Sequence, residues 1–352
     1  MRKAYLVLED GSVFEGFGFG AETGCIGELV FNTSVVGYVE TLTDAGYYGQ
    51  ILMQTFPLNG NYGIMEEDFQ GKCHIKGYVV REWCNTPSNF RCEYDIDTYL
   101  KNQGVPGIYG VDTREITRIL REKGTMNATI TDTLPADLEA VKAYKIENAL
   151  QAVTCQEITE YPCKQEQYKV VLWDLGYKKY LIEALHKVGC SVTVVPAFTT
   201  AEEIKALSPN GIVLAGGAGN PAENAKVIEN VKALMGEIPM LGIDMGHLVM
   251  ALAQGGTVEK MKHGHHGGNQ PAREMGSLRT FITAQNHNYV VLSDSVASGK
   301  RSFYNANDNS CEGMDYAALK AFSVAFQPEA HKGNRNPAAL FTQFADLMGG
   351  NK

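Results

Sequence analysis

Residues 239–256 read PMLGIDMGHLVMALAQGG. The run PMLGI is short and apolar, as a buried strand is, and HLVMALAQGG has the length and closing glycines of a helix. Between them, Gly242-Ile243-Asp244-Met245-Gly246 makes a tight strand-to-helix turn. A G-x-nucleophile-x-G turn of this kind lifts a reactive side chain to the carboxyl end of a sheet. The nucleophile there is ordinarily Ser or Cys, whereas this chain has Asp244.

The same grammar runs outward from the turn. From Tyr168 the sequence alternates strand and helix: YKVVLWDLG, then YKKYLIEALHKVG, CSVTVVP, TTAEEIKAL, GIVLAGG, ENAKVIENVKALMG and IPMLGI. Thr200 and Glu203 have capping-box spacing, and Gly189 closes the first helix. Alternating units of this sort predict a mostly parallel sheet covered on both faces by helices. Sites in such sheets lie beyond the carboxyl ends of the strands. The elbow, the AGGAGNP loop and WDLG all fall at that edge.

The first half reads differently. AYLVLEDGSVFEGFGFG alternates and turns at Asp10-Gly11, and ELVFNTSVVGY, GQILMQTF and IKGYVVREW follow as apolar or β-branched runs. DTREITRILREKG is a helix that Thr113 could cap, with Ile116, Ile119 and Leu120 on one face and Gly124 as its stop. A mixed α+β domain is expected over residues 1–152, a polar linker over 153–167, and an α/β domain over 168–352. The 352 residues suit two domains. With 44% hydrophobic and 20% charged residues the composition is that of a globular protein. A net charge of −9 offers nothing to nucleic acid or an anionic membrane. No apolar run is long enough to span a bilayer, the N-terminus is charged too early for a signal peptide, and a cytoplasmic location is expected. The eight cysteines are scattered, with no C-x-x-C pair, and read as reduced thiols.

Other clusters have a chemical reading and a plainer one. In LAGGAGNP, Gly216, Gly217 and Gly219 would let backbone N–H groups approach a ligand as an oxyanion hole requires. The same loop loosely fits a dinucleotide fingerprint (Gly217, Gly219, Ala222), but it follows the third strand of the run, and Pro221 interrupts the helix start. A plain βα loop is the remaining alternative. His263, His265 and His266 in MKHGHHGGNQP suggest metal, yet no Cys or carboxylate lies at ligand spacing, so a turn-rich structural loop is expected and no metal. Gln285, Asn286 and His287 in TAQNHNYVV read as a polar turn. Gln327, Pro328 and Glu329 come directly after a strand and could face the elbow. His247, which begins the elbow helix, is out of register with Asp244 and reads as structural.

Taken together, these motifs resemble the small, glutamine-hydrolysing subunit of carbamoyl-phosphate synthetase nearly end to end. In the first half the resemblance rests on LVLEDGSVFEGFGFG, GELVFNTSVVGYVETLTD, FPLNGNYG, PSNFR and GIYGVDTREITRILREKGTMNATI. In the second it rests on VVLWDLGYKKYLIEAL, GIVLAGGAGNPAEN, MKHGHHGGNQP and TAQNHNY. It implies a class I glutamine amidotransferase-like second domain with a Cys-His-Glu triad and no cofactor. It also implies a large subunit as partner, which turns the released ammonia, bicarbonate and ATP into carbamoyl phosphate for pyrimidine and arginine synthesis. Carried over position by position, the chemistry is missing. The family elbow G-I-C-L-G-H-Q is here Gly242-Ile243-Asp244-Met245-Gly246-His247-Leu248, so Asp244 stands for the nucleophile and Leu248 for a glutamine-contacting Gln. The H-P-E motif is Gln327-Pro328-Glu329, leaving Glu329 alone of the triad. Gly217 and the oxyanion glycine Gly219 persist. A substrate-contacting Ser is Gly46, and after Asn286 the Gly-Phe pair is Asn288-Tyr289. Met245 completes the substrate-contact set.

The resemblance therefore implies a small subunit that no longer hydrolyses glutamine and supports an ammonia-using large subunit as scaffold or regulator. Two alternatives stand beside it: an enzyme repurposed around Asp244 and Glu329, and a module binding a small molecule in the former glutamine pocket. Glutamine could also remain the nitrogen source through a different subunit.

Overall fold

The computed structural model describes residues 2–277, 279–330 and 338–349. The chain forms two units, Met1–Glu147 with Lys262–Gly267, and Asn148–Met261 with Gly268–Lys352.

The first unit contains β1 (Arg2–Leu8), β2 (Val13–Gly20), β3 (Cys25–Asn32), β4 (Gln50–Gln54), β5 (Leu58–Asn59), β6 (Gly77–Val80), β7 (Glu82–Trp83), β8 (Pro106–Tyr109) and β9 (Met126–Thr131). Its helices are α1 (Tyr38–Leu42), α2 (Ile96–Asn102), α3 (Thr113–Lys123) and α4 (Glu139–Ala143). Seven strands close into a barrel in the order β1-β2-β8-β6-β4-β3-β9, and β5 pairs with β7 apart from it. The β1–β2 hairpin turns at Asp10-Gly11, as expected, with Gly11 at φ 90° and the Ser12 N–H donating to Asp10 Oδ1. Leu6, Leu8, Leu29, Ile51, Met53, Val79 and Ile108 belong to one buried cluster. Two local readings change. Helix α3 is capped by Asp112, whose Oδ1 accepts from the Arg114 and Glu115 N–H groups, while Thr113 is its first residue. The run ELVFNTSVVGY stays extended only to Asn32, and α1 begins at Tyr38.

The second unit contains α5 (Ala149–Val153), β10 (Thr159–Tyr161), β11 (Tyr168–Asp174), α6 (Tyr180–Lys187), β12 (Cys190–Pro196), α7 (Ala201–Ala206), β13 (Gly211–Ala215), α8 (Ala225–Leu234), β14 (Met240–Ile243) and α9 (Met245–Ala253). After them come β15 (Thr257–Glu274), β16 (Thr280–Leu292), β17 (Lys300–Asn305), β18 (Cys311–Tyr316), β19 (Ala321–Val324) and α10 (Ala339–Gly349). One ten-stranded sheet runs β10-β12-β11-β13-β14-β19-β18-β17-β15-β16. Its centre, β12-β11-β13-β14-β19, is parallel, and the flanking pairings β10–β12, β18–β19, β17–β18 and β15–β17 are antiparallel. The parallel-rich α/β fold expected from the sequence is present.

Strand β11 shows why the centre reads as a continuous apolar run. Val171 and Trp173 belong to one core cluster and Val170 and Leu172 to another, so both faces are covered. The Thr200–Glu203 capping box forms at α7. Within 153–167, Thr159–Tyr161 makes the edge strand β10.

Two polar stretches differ from their expected form. MKHGHHGGNQP lies within β15 and QNHNY within β16, rather than in turns. Side chains and main chain satisfy the buried polar groups there. Gln285 Nε2 donates to Thr283 Oγ1 at 3.0 Å, Thr283 Oγ1 donates to the Gln270 carbonyl at 2.9 Å, and His287 Nδ1 lies 2.9 Å from the Tyr289 carbonyl. With those bonds made, extended backbone carries residues whose composition reads as a turn. The segment Lys262–Gly267 of β15 groups with the first unit, where its Lys262 and His266 carbonyls accept from the Thr125 and Thr33 N–H groups.

Candidate active site at the carboxyl edge of the second unit

The elbow is built as its spacing predicts. Asp244 has φ 57° and ψ −115°, a backbone state unfavourable for a residue with a Cβ. Its N–H donates to the Val324 carbonyl at 2.9 Å, and α9 starts at once, with the His247 N–H donating to the Asp244 carbonyl at 3.0 Å. The flanking glycines are required sterically. A Cβ on Gly242 would come 2.5 Å from Met250 Sδ, and one on Gly246 would overlap the Leu214 carbonyl. Helix and strand can pass this closely only without side chains at those two positions.

Three further loops meet at this edge. After β13, Gly216 (φ 74°) accepts from the Met245 N–H through its carbonyl at 3.1 Å. A Cβ on Gly216 would overlap Gly176, and one on Gly217 would overlap Met245. Gly219 also has positive φ, 77°. The loop after β11 is anchored by buried Asp174, whose Oδ1 accepts from the N–H groups of Gly176 (2.7 Å) and Tyr177 (2.9 Å), while Oδ2 accepts from Cys155 N–H at 2.6 Å. That loop carries Lys178. After β19, the Gln327 N–H donates to the Ala284 carbonyl at 2.9 Å, and Pro328–Ala330 form a 3-10 turn bearing half-buried Glu329.

Lys178 Nζ donates to Gln327 Oε1 at 2.6 Å. An ammonium has donors only, so this contact fixes which way the carboxamide faces. Gln327 is 4% exposed, and its Nε2 is buried without a hydrogen-bond partner among the described residues. The position three residues past β19 is thus held by a neutral amide engaged through its oxygen. An amide takes no proton near neutral pH, so this side chain cannot act as a general base. Lys178 was not singled out from the sequence. The only signal was a Lys-Lys pair following the strand end WDLG.

The remaining expected residues fall in both units. Met245 and Leu248 are both 3% exposed and belong to the core cluster beneath α9, where Leu248 presents no polar atom. Asn286 is buried, Asn288 and Tyr289 are half-buried, and Tyr289 packs against that same cluster. Gly46 lies in the first unit, in the 3-10 turn Ala45–Tyr47, with its N–H donating to Asp44 Oδ1 at 2.9 Å. In the first unit too, the His263 ring centroid is 5.9 Å from that of Phe31, and the His266 ring is 5.8 Å from that of Tyr47.

Behind the elbow, His247 is fully buried and its Nδ1 lies 2.8 Å from Ser323 Oγ. Burial, the dominant cause, pushes its pKa down to about 3, so the imidazole is neutral. His287 Nε2 lies 3.7 Å from Glu312 Oε2, and Asn305 Nδ2 donates to Glu312 Oε1 at 3.2 Å. The His247–Ser323 contact ties the elbow helix to β19, the strand that leads to Gln327.

A strained elbow at the carboxyl edge of a parallel sheet, facing a glycine loop, is the architecture of an α/β amidotransferase domain. Residues 171–347 match the family described as glutamine amidotransferase class-I, and residues 6–130 match that described as carbamoyl-phosphate synthase small chain, CPSase domain. The carbamoyl phosphate synthase small chain of Syntrophotalea carbinolica is 42% identical and is matched over 99% of each chain. The carbamoyl phosphate synthase pyrimidine-specific small chain of Bacillus subtilis is 40% identical over 98% of this chain and 96% of that one. The carbamoyl phosphate synthase small chain of Fusobacterium nucleatum subsp. nucleatum is 42% identical over 98% of each. The chain belongs to the carbamoyl phosphate synthase small-chain family. Membership as a small chain implies a large-subunit partner.

Proposed function

We propose that this chain is the small subunit of a carbamoyl-phosphate-forming complex in which glutamine hydrolysis has been lost. In this reading it serves a large subunit that takes free ammonia, in the pyrimidine or arginine route, as scaffold or regulator. The observation that carries the proposal is Gln327, a neutral amide clamped by Lys178 where a base would be needed. Asp244 compounds the loss. A thiolate is a strong nucleophile whose acyl form hydrolyses. A carboxylate attacking an unactivated amide would have to form an anhydride, with no group at 327 to move protons. The buried aliphatic surface of Leu248 offers nothing to a polar substrate. The retained glycines and elbow strain support an architecture that outlasted its chemistry.

The test is the purified complex with its large subunit, supplied with ammonium or with glutamine. Carbamoyl phosphate is expected from ammonium, and glutamate release from glutamine at background. Glutamine hydrolysis at amidotransferase rates that disappears in Asp244→Ala would refute the proposal.

A further inference from the structure

A concavity in the second unit lies at the amino ends of β11 and β12, the edge of the sheet opposite the elbow. Thr193 of β12 is paired with Val171 of β11 and with Glu160 of β10. Paired residues share a face, and side chains alternate along a strand. Glu160, Lys169, Val171, Ser191 and Thr193 therefore point to one side. That side is the one α7 covers, because Val171 shares a core cluster with Ala201 and Ile204. Helix α7 has only six residues, about 9 Å of cover, against about 23 Å for a seven-residue strand. The amino halves of β11 and β12 are left open, and a cavity of about 260 Å³ results.

Its walls are fixed. Leu207 and Pro209, which follow α7, form one side. They are pinned where the Asn210 N–H donates to the Lys169 carbonyl and Asn210 Oδ1 accepts from the Lys169 N–H, both at 2.7 Å. Beside β10, the Cys163 N–H donates to Ser191 Oγ at 2.9 Å, which leaves the Ser191 hydroxyl hydrogen to give. The lining carries both signs of charge. Lys169 supplies an ammonium, and Glu160 and Glu166 supply two carboxylates. Among the described residues these three form no ion pair, and the Thr193 hydroxyl makes no hydrogen bond. Val171, 1% exposed, gives the floor an apolar surface, continued by Leu207 and Pro209.

We propose that this cavity binds a free aliphatic α-amino acid. The volume lies just below the range of drug-sized sites, so it suits a molecule of that size. A zwitterion answers both charges, whereas a simple acid or amine leaves one sign unmet. The ligand carboxylate faces Lys169 and the Ser191 and Thr193 hydroxyls. Its ammonium, with three donors, is shared by Glu160 and Glu166. Its side chain lies against Val171, Leu207 and Pro209. The site uses none of Asp244, Gln327 or Glu329, so it stands apart from the proposed loss of glutamine hydrolysis.

The experiment titrates the full chain with leucine, followed by calorimetry and by melting temperature. Saturable binding is expected at about 1 mM, the affinity that a few solvent-screened contacts support, with a melting temperature that rises with leucine. Two analogues test the two charges on the unaltered chain: 4-methylpentanoate lacks the ammonium, and isopentylamine lacks the carboxylate. Each should bind at least about 10-fold more weakly than leucine. Lys169→Met and Glu160→Gln/Glu166→Gln should each weaken leucine binding by about 10-fold or more. Their unliganded melting temperatures should not change, because all three side chains are exposed. No binding of leucine up to about 10 mM overturns the proposal. So does an analogue that binds as well as leucine, or leucine binding that Lys169→Met leaves within about two-fold.

Discussion

At the scale of single residues the decisive pair is Lys178 and Gln327. The ammonium occupies the carboxamide oxygen, and among the described residues the buried Nε2 has no partner, an arrangement that costs about 1–3 kcal/mol on the amide side. Lys178→Met should leave both ends of the amide unmade and destabilise the protein by a further 1–3 kcal/mol or so in denaturant titrations. Lys178→Met/Gln327→Leu should be less destabilised than Lys178→Met alone, since removing both polar partners abolishes the unmet bond. The same pair sets a test of the proposed loss of glutamine hydrolysis. Asp244→Cys should remain at background for glutamate release, because Gln327 cannot take the thiol proton. Asp244→Cys/Gln327→His should exceed it by about 10²-fold or more, the scale of a positioned general base. Equal rates in the two variants would show that position 327 does not govern the reaction. Asp244 in the elbow and Gln327 after the last parallel strand were legible in the sequence. The contact with Lys178, 149 residues away, was not.

At the scale of elements, the elbow depends on two glycines that let α9 descend onto β14 and β13. Gly246→Ala should lower stability by roughly 1–3 kcal/mol, because the added carbon meets the Leu214 carbonyl rather than a movable side-chain tip. Helix α3 offers a milder case. Asp112→Ala should cost about 1 kcal/mol as the Arg114 and Glu115 N–H groups lose their acceptor, measurable as a shift in the denaturation midpoint. Reading Thr113 as the cap placed the start of α3 one residue late, since Asp and Thr are both good caps and only the backbone angles separate them. The His- and Asn-rich stretches were harder still. Their composition favours turns, whereas in the fold they are extended in β15 and β16, with Thr283 Oγ1 of β16 donating to the Gln270 carbonyl of β15.

At the scale of the whole molecule, stability should carry an acid signature from His247. Its folded pKa, about 3, lies below the ordinary value of 6.5, so the unfolded chain binds the proton first. The stabilisation is complete above about pH 6.5 and is lost as pH falls from there toward 3, by at most about 1.4 kcal/mol per pH unit. Between about pH 7 and pH 5, before most carboxylates titrate, unfolding free energy should fall less steeply in His247→Gln than in the unaltered chain. Comparing slopes separates this effect from any loss of the Ser323 contact. Identical slopes would mean that another group dominates acid sensitivity. Among the described residues no helix is long and apolar enough to cross a membrane, and assembly with a large subunit should add to stability by mass action.

The sequence alone determined what is local: the alternating strands and helices after Tyr168, the capping box at Thr200, the hairpin at Asp10-Gly11, and the elbow with Asp in the nucleophile position. Each is set by neighbours within a few residues, where side-chain period, cap chemistry and glycine sterics act directly. Tertiary structure decided what depends on distant partners. It closed the first-unit strands into a barrel, held polar segments of β15 and β16 extended, and brought Lys178 onto Gln327. The elbow spacing announced a site, and the fold joined Lys178 to the amide of Gln327. Such outcomes depend on which groups a long loop brings together and which buried donors are left to find an acceptor, and no short window of sequence contains both.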